Sequence, residues 1–244
     1  MSNVNSQIVP PEFASPTQSS PPVPHNAATR VIVSTFGVLV GIGSINHGLL
    51  EAIQGNRPTP GHMVNALGPG YHWTVWTQGG EAAFTLVPNF LLTGILATLM
   101  GVLLIVWSLR FIHRPYGPSV FLLLSVTSFL VGGGIAQILL FTLNWAAATR
   151  IRASLGFWRW LIPAQVYPLL GRVWRWTLVA ATVFFLAALE IAVVGYVPGV
   201  SNQIQILHVC WTLLLVALAL ILFSFFSGFA HDLDARSRLN QSHV

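Results

Sequence analysis

The sequence predicts an all-α integral membrane protein, because it is long, strongly apolar and nearly free of charge. Of its 244 residues, 54% are hydrophobic and 7% are charged, with a mean hydropathy of +0.71. A soluble domain usually carries about 25% charged residues. Four apolar stretches are each long enough for a helix to cross a hydrocarbon core of about 30 Å. With a fifth apolar segment broken by three glycines, the predicted fold is four full transmembrane helices plus that segment.

The predicted elements follow one another from a polar tail to a polar tail. Residues 1–28 hold six prolines among Ser, Gln and Asn. A segment of this composition buries too little apolar surface to offset the entropy lost on ordering, so we predict a disordered tail. A helical transmembrane domain is expected over 29–231 and a polar C-terminal tail over 232–244. The four predicted spans cover 31–53, 84–109, 177–197 and 204–230.

The apolar stretch at 119–149 allows two structures. About 31 residues make a helix of about 46 Å, which is long for one span and short for two. Gly132, Gly133 and Gly134 lie near its middle, and each costs about 1 kcal/mol relative to Ala inside a helix. The segment is therefore either one long tilted helix or a short hairpin of two helices, 119–131 and 135–149, folded back at the glycines.

The distribution of arginine favours the hairpin. All eleven basic residues are Arg, and they lie in the short connections between apolar stretches. A single tilted helix divides them 8 to 3 between the two sides of the membrane, whereas a hairpin leaves Arg57 alone opposite the other ten. Positive residues accumulate on the cytoplasmic side, so we predict an inner-membrane protein with both termini in the cytoplasm.

The connection at 149–176 is predicted to lie in the membrane interface. It contains two Trp-Arg-Trp triplets and no apolar stretch long enough to span. Indole rings and guanidinium groups both favour the headgroup layer. The segment is therefore either part of a general aromatic belt or a specific lipid site. The predicted lipid-interface residues are Trp158, Arg159, Trp160, Trp174, Arg175 and Trp176.

Ionisable residues inside the spans are the candidate functional residues, because a charge in the membrane is costly. His47 and Glu51 lie in the first span, Glu190 in the third and His208 in the fourth. In the hairpin topology all four lie in the outer half of the membrane, within about 13 Å of its surface. We expect them to form one polar cluster that either binds a proton or a cation, or only clamps the helices together.

Four segments resemble a family of uncharacterised bacterial multi-pass inner-membrane proteins. They are SINHGLLEAIQGN at 44–56, VPNFLLTGIL at 87–96, LVGGG at 130–134 and SGFAHD at 227–232. The resemblance implies a multi-pass inner-membrane protein and no particular activity. Similar sequences are expected to carry a Pro pair soon after the three glycines, where this chain has Ile135, Ala136 and Gln137.

Three functions agree with these features. The first is a non-enzymatic scaffold or accessory subunit, and the second is a proton, cation or small-solute transport component. The third is a membrane oxidoreductase or haem protein, with His47 and His208 as the haem ligands. We predict no catalytic residue, metal site, cofactor or nucleic-acid partner, and expect contact with lipid and with membrane-protein partners or further copies of the chain.

Overall fold

The computed structural model describes residues 26–66 and 82–241, which form seven α-helices, one 3-10 turn and three short strands. The strands are β1 (Met63–Asn65), β2 (Ala82–Thr85) and β3 (Val131–Gly134). The helices are α1 (Ala27–Ala52), α2 (Phe90–Arg110), α3 (Gly117–Leu130), α4 (Gln137–Ala148), α5 (Gly156–Leu161), α6 (Tyr167–Val194) and α7 (Gln203–Gln241). Of the predicted tail at 1–28, residues 1–25 lie outside the described residues, whereas Ala27 and Ala28 already belong to α1.

Four helices of the described chain, α1, α2, α6 and α7, are long and apolar enough to cross a membrane. This confirms the four predicted spans and makes the chain a multi-pass membrane protein, although several boundaries differ. α2 begins at Phe90 rather than near 84, because Asn89 caps it by accepting the N–H of Leu92 at 3.1 Å. The predicted polar tail at 232–244 is helical as far as Gln241, because α7 continues past the predicted end of the span.

The stretch at 119–149 is a hairpin, so the alternative of one long tilted helix is wrong. α3 and α4 are separated by β3, in which Gly132 has a φ of +111°. This conformation is open to glycine and costly for other residues. Residues 118–119 at the start of α3 and 148–149 at the end of α4 line one small cavity. The chain therefore returns at the glycines to the end of the bundle from which it entered.

Both ends of the described chain meet at one end of the bundle, here called the Arg-rich end. The Asn26 amide donates to the Arg150 carbonyl at 2.6 Å, and the Arg236 guanidinium donates to the Asn26 side-chain oxygen at 2.8 Å. The Asp232 carboxylate accepts the N–H groups of Ala28 and Thr29 at 3.0 and 2.9 Å. These bonds cap the N-terminus of α1, which explains why α7 stays helical past residue 231.

The opposite end of the bundle, here called the sheet end, carries an antiparallel sheet in the order β1-β2-β3. Met63 pairs with Phe84, Ala83 pairs with Gly134, and the register shifts between Ala83 and Thr85. Non-helical backbone within a membrane protein needs internal hydrogen-bond partners. β2 supplies them to β3, which allows the hairpin to turn through an extended segment.

α1 and α2 pack against each other through glycines. A Cβ atom on Gly101 would lie 2.6 Å from the Gly41 carbonyl oxygen, and one on Gly48 would lie 2.6 Å from the Gly94 carbonyl oxygen. Small residues at such positions allow two helix backbones to approach closely. α1 thereby becomes the central element, with α2 on one side, the hairpin on another and α7 on a third.

The predicted interfacial segment at 149–176 is shorter than expected. α6 begins at Tyr167, so the second Trp-Arg-Trp triplet belongs to a spanning helix and Trp174 is buried beside His231. Pro168 does not break this helix because it lies in the first turn, where its missing N–H costs nothing. Of the first triplet, Trp160 is exposed, whereas Trp158 packs on Phe229 with ring centroids 4.4 Å apart.

Candidate functional site

Glu51 lies in the last turn of α1 and has no exposed surface. Its carboxylate faces β3, where a Cβ atom on Gly132 would collide with Oε2 of Glu51 and lie 2.8 Å from the Thr93 hydroxyl. Position 132 therefore requires glycine twice, once for its positive φ and once for the space that the carboxylate occupies.

His47 lies one turn before Glu51 and faces the same strand. It is 3% exposed, and a Cβ atom on Gly134 would collide with its Nε2 atom. Residues four apart share one face of a helix. The two side chains of α1 therefore pack side by side against the glycine backbone of β3, and the missing side chains of β3 create their space.

Two threonines complete the surroundings of Glu51. The Thr93 hydroxyl donates to the Val131 carbonyl at 2.7 Å and lies 2.6 Å from the Thr85 hydroxyl. The Thr93 hydroxyl also reaches the Glu51 carboxylate, and since a hydroxyl has one proton, Glu51 shares that proton with the Val131 carbonyl. Within residues 26–66 and 82–241, no group other than Thr93 donates a hydrogen bond to the Glu51 carboxylate.

Further polar side chains continue from this site towards the middle of the bundle. The Ser128 hydroxyl donates to the Ser44 hydroxyl at 2.9 Å, and Ser44 donates to Oε1 of Gln137 at 3.1 Å. Deeper still, the Asn144 amide donates to the carbonyl of Val33 at 3.1 Å. Glu51 and Val33 are 18 residues apart, so the polar groups are distributed along about 27 Å of α1.

The four predicted site residues do not come together. His47 and Glu51 are buried side by side, but Glu190 and His208 are exposed on the outer surface of α6 and α7, and no side-chain ion pair or hydrogen bond joins them. The cause is helix phase: Glu190 lies two residues, or about 200°, from buried Ala188, and His208 lies equally far from buried Cys210. Glu190 thus faces away from α7, and His208 faces away from α6.

This arrangement also removes the predicted haem geometry, because His47 points into the bundle and His208 points out of it. No group of three or more potential metal ligands forms among the described residues.

The polar residues of the hairpin were not among the predicted site residues. Gln137 and Asn144 are seven residues apart on α4 and therefore lie on one face of it. That spacing of two amides in an apolar helix was the available signal, because both amides point at α1. Thr93 and Thr85 carried no comparable signal, since the strand that brings them together has no periodic pattern.

What the site can do chemically follows from its composition. It contains one carboxylate, one imidazole, hydroxyl groups and the glycine backbone, all shielded from solvent. Such a set can hold a proton or a small cation. The chain matches no family model, no curated protein and no solved structure.

Proposed function

We propose that this chain is a transport component of a bacterial inner membrane that binds a proton or a small cation at Glu51 and His47. The observation that carries the proposal is the enclosed Glu51 carboxylate, which among the described residues is reached only by the Thr93 hydroxyl. An ionised carboxylate in such surroundings costs several kcal/mol, and a bound proton or cation removes this cost.

The glycine strand beside Glu51 supports the same function. Discontinuous helices in transporters place non-helical backbone next to the ion site, although there the site lies at the middle of the membrane and here it lies in the last turn of α1. Here α3 and α4 are interrupted by β3, whose Gly132 and Gly134 face Glu51 and His47. Two further groups of polar side chains, one at Ser44 and one at Asn144, lie along α1 beyond this site.

The arginines support an orientation for the site. Arg57 follows α1 at the sheet end, whereas the other ten arginines belong to the segments that meet at the Arg-rich end. With the Arg-rich end in the cytoplasm, the positive-inside rule is satisfied. Glu51 then lies near the outer surface, covered by the sheet.

A scaffold or accessory subunit is the second candidate, and the packing of α1 favours it. Glu51 is as completely buried as the apolar core residues Phe36 and Ile32, and α1 meets α2 at backbone contact distance. In that case the carboxyl group stays protonated and only fills the space above Gly132.

Proton flux into proteoliposomes distinguishes the two functions. The purified chain is reconstituted with a pH-sensitive dye inside, and a potassium gradient with valinomycin imposes a potential. We expect flux with the wild type and with Glu190→Gln, the matched control with an exposed carboxylate, and none with Glu51→Gln. Equal flux with Glu51→Gln would refute the assignment of the site, and a wild type without flux would favour the scaffold.

Infrared spectroscopy tests the binding step separately. The chain has only six acidic residues, so the carbonyl stretch of one buried protonated carboxyl group is distinguishable. We expect this band in the wild type and in Glu190→Gln, and its loss in Glu51→Gln. If added sodium or potassium ions remove the band, the site binds a cation in exchange for the proton.

A further inference from the structure

We propose that a groove at the Arg-rich end binds an acyl chain of an anionic phospholipid, with the lipid phosphate on Arg150. The groove has a volume of about 500 Å³ and lies between α4, α5 and α7. It is distant in sequence and in position from Glu51, so the proposal is independent of the transport function.

The groove exists because α4 and α7 both pack on α1 without filling the space between them. α4 contacts α1 and α3, and α7 contacts α1 and α6. On the α4 side the wall is low, since positions 146 and 147 are alanines. On the other side Phe226 and Phe229 of α7 form a high wall, and Trp158 of α5 packs on both rings.

The lining has the chemistry of an acyl-chain site. Arg150 is the single charged residue among its ten lining residues, and the others are Leu, Ala, Phe or Trp. The lining residue Phe157 is exposed, and it lies on a membrane-protein surface, where lipid is the adjacent solvent. An exposed apolar groove in that position is filled by a hydrocarbon chain more readily than by water.

Arg150 selects the headgroup. It follows the last turn of α4, its side chain is exposed, and no carboxylate among the described residues pairs with it. A guanidinium group binds phosphate through two parallel hydrogen bonds. Since Arg150 and Phe226 both line the groove, a lipid can place its chain against Phe226 and its phosphate on Arg150 together.

Native mass spectrometry of the full chain in detergent micelles tests this site. The probes are phosphatidylglycerol and phosphatidylcholine with identical acyl chains. We expect the wild type to retain phosphatidylglycerol preferentially, and Arg150→Gln to lower that retention about five-fold, the effect of one arginine near an anionic surface. Arg172→Gln, an exposed arginine of α6 outside the groove, is the matched control and should behave as the wild type.

A second variant tests the groove itself. Ala146 is exposed and lines the groove, so Ala146→Trp fills it without entering the core, and we expect it to lower retention of both lipids. Equal retention of the two lipids by the wild type, or unchanged retention by both variants, would overturn the proposal. Capture of a second copy of the chain instead of lipid would also overturn it. If Ala146→Trp does not fold, the lipid preference of Arg150→Gln decides alone.

Discussion

Replacing Gly134 with alanine perturbs the contact between β3 and His47 by a single methyl group. The new Cβ atom would overlap Nε2 of His47 and lie 2.6 Å from its Cε1 atom. Because the imidazole is packed in the core with 3% of its surface exposed, it cannot swing into solvent. The strand or α1 must therefore shift, and we expect a loss of stability.

The size of the expected stability loss follows from the steric overlap between the added methyl group and His47. Overpacking a filled core by one methyl group costs about 1–3 kcal/mol. The φ of Gly134 is not positive, so no backbone strain adds to this cost. Removal of the imidazole by His47→Ala should therefore relieve Gly134→Ala, with a favourable coupling energy of about 1–3 kcal/mol in a double-mutant cycle.

Gly132 provides the contrast, because its φ is +111°. Gly132→Ala adds backbone strain of about 1–3 kcal/mol to the collision with Glu51. Glu51→Ala should therefore restore only part of the stability that Gly132→Ala loses. By contrast, His47→Ala should restore most of the stability that Gly134→Ala loses.

Unfolding by sodium dodecyl sulfate in mixed micelles, followed by circular dichroism, measures these free energies. The four single variants, the two double variants and the wild type are compared in one detergent. If Gly134→Ala is as stable as the wild type, or gains nothing from His47→Ala, the packing of β3 on His47 is incorrect. Equal recovery in the two pairs would instead contradict the strain assigned to Gly132.

Three further predictions follow from the same contacts. Asp232→Ala should lower the free energy of unfolding by about 1–3 kcal/mol, because the N-terminus of α1 loses its cap. The control Asp234→Asn removes one partner of an exposed ion pair and should change this free energy by less than about 0.5 kcal/mol. A similar loss of stability in both variants would refute the cap. Thr93→Val should cost about 1–3 kcal/mol in the same assay, because the carbonyl of β3 loses its donor, and an unchanged stability would contradict that bond. Single cysteines at positions 10 and 240, introduced after Cys210→Ala, should both be labelled from the cytoplasmic side only, and labelling from opposite sides would refute the hairpin topology.

Much of the architecture was predictable because it depends on local composition. The number of spans follows from the lengths of the apolar stretches, since every spanning helix satisfies its own backbone. The hairpin was favoured by the three glycines and by the arginines, and both properties are visible in the sequence without knowledge of neighbours. The sheet was not predicted, because β1 and β2 are only three and four residues long and their pairing with β3 joins distant parts of the chain.

The sequence by itself determined that this protein is a helical membrane protein with few ionisable groups inside it, and it identified those groups. It did not determine which of them are buried. Glu51 and Glu190 both stand in apolar helices, yet one faces the glycines of β3 and the other faces outward. Only the tertiary structure decides this, because the environment of a side chain depends on which face of its helix a distant segment covers, and β3 covers that of α1.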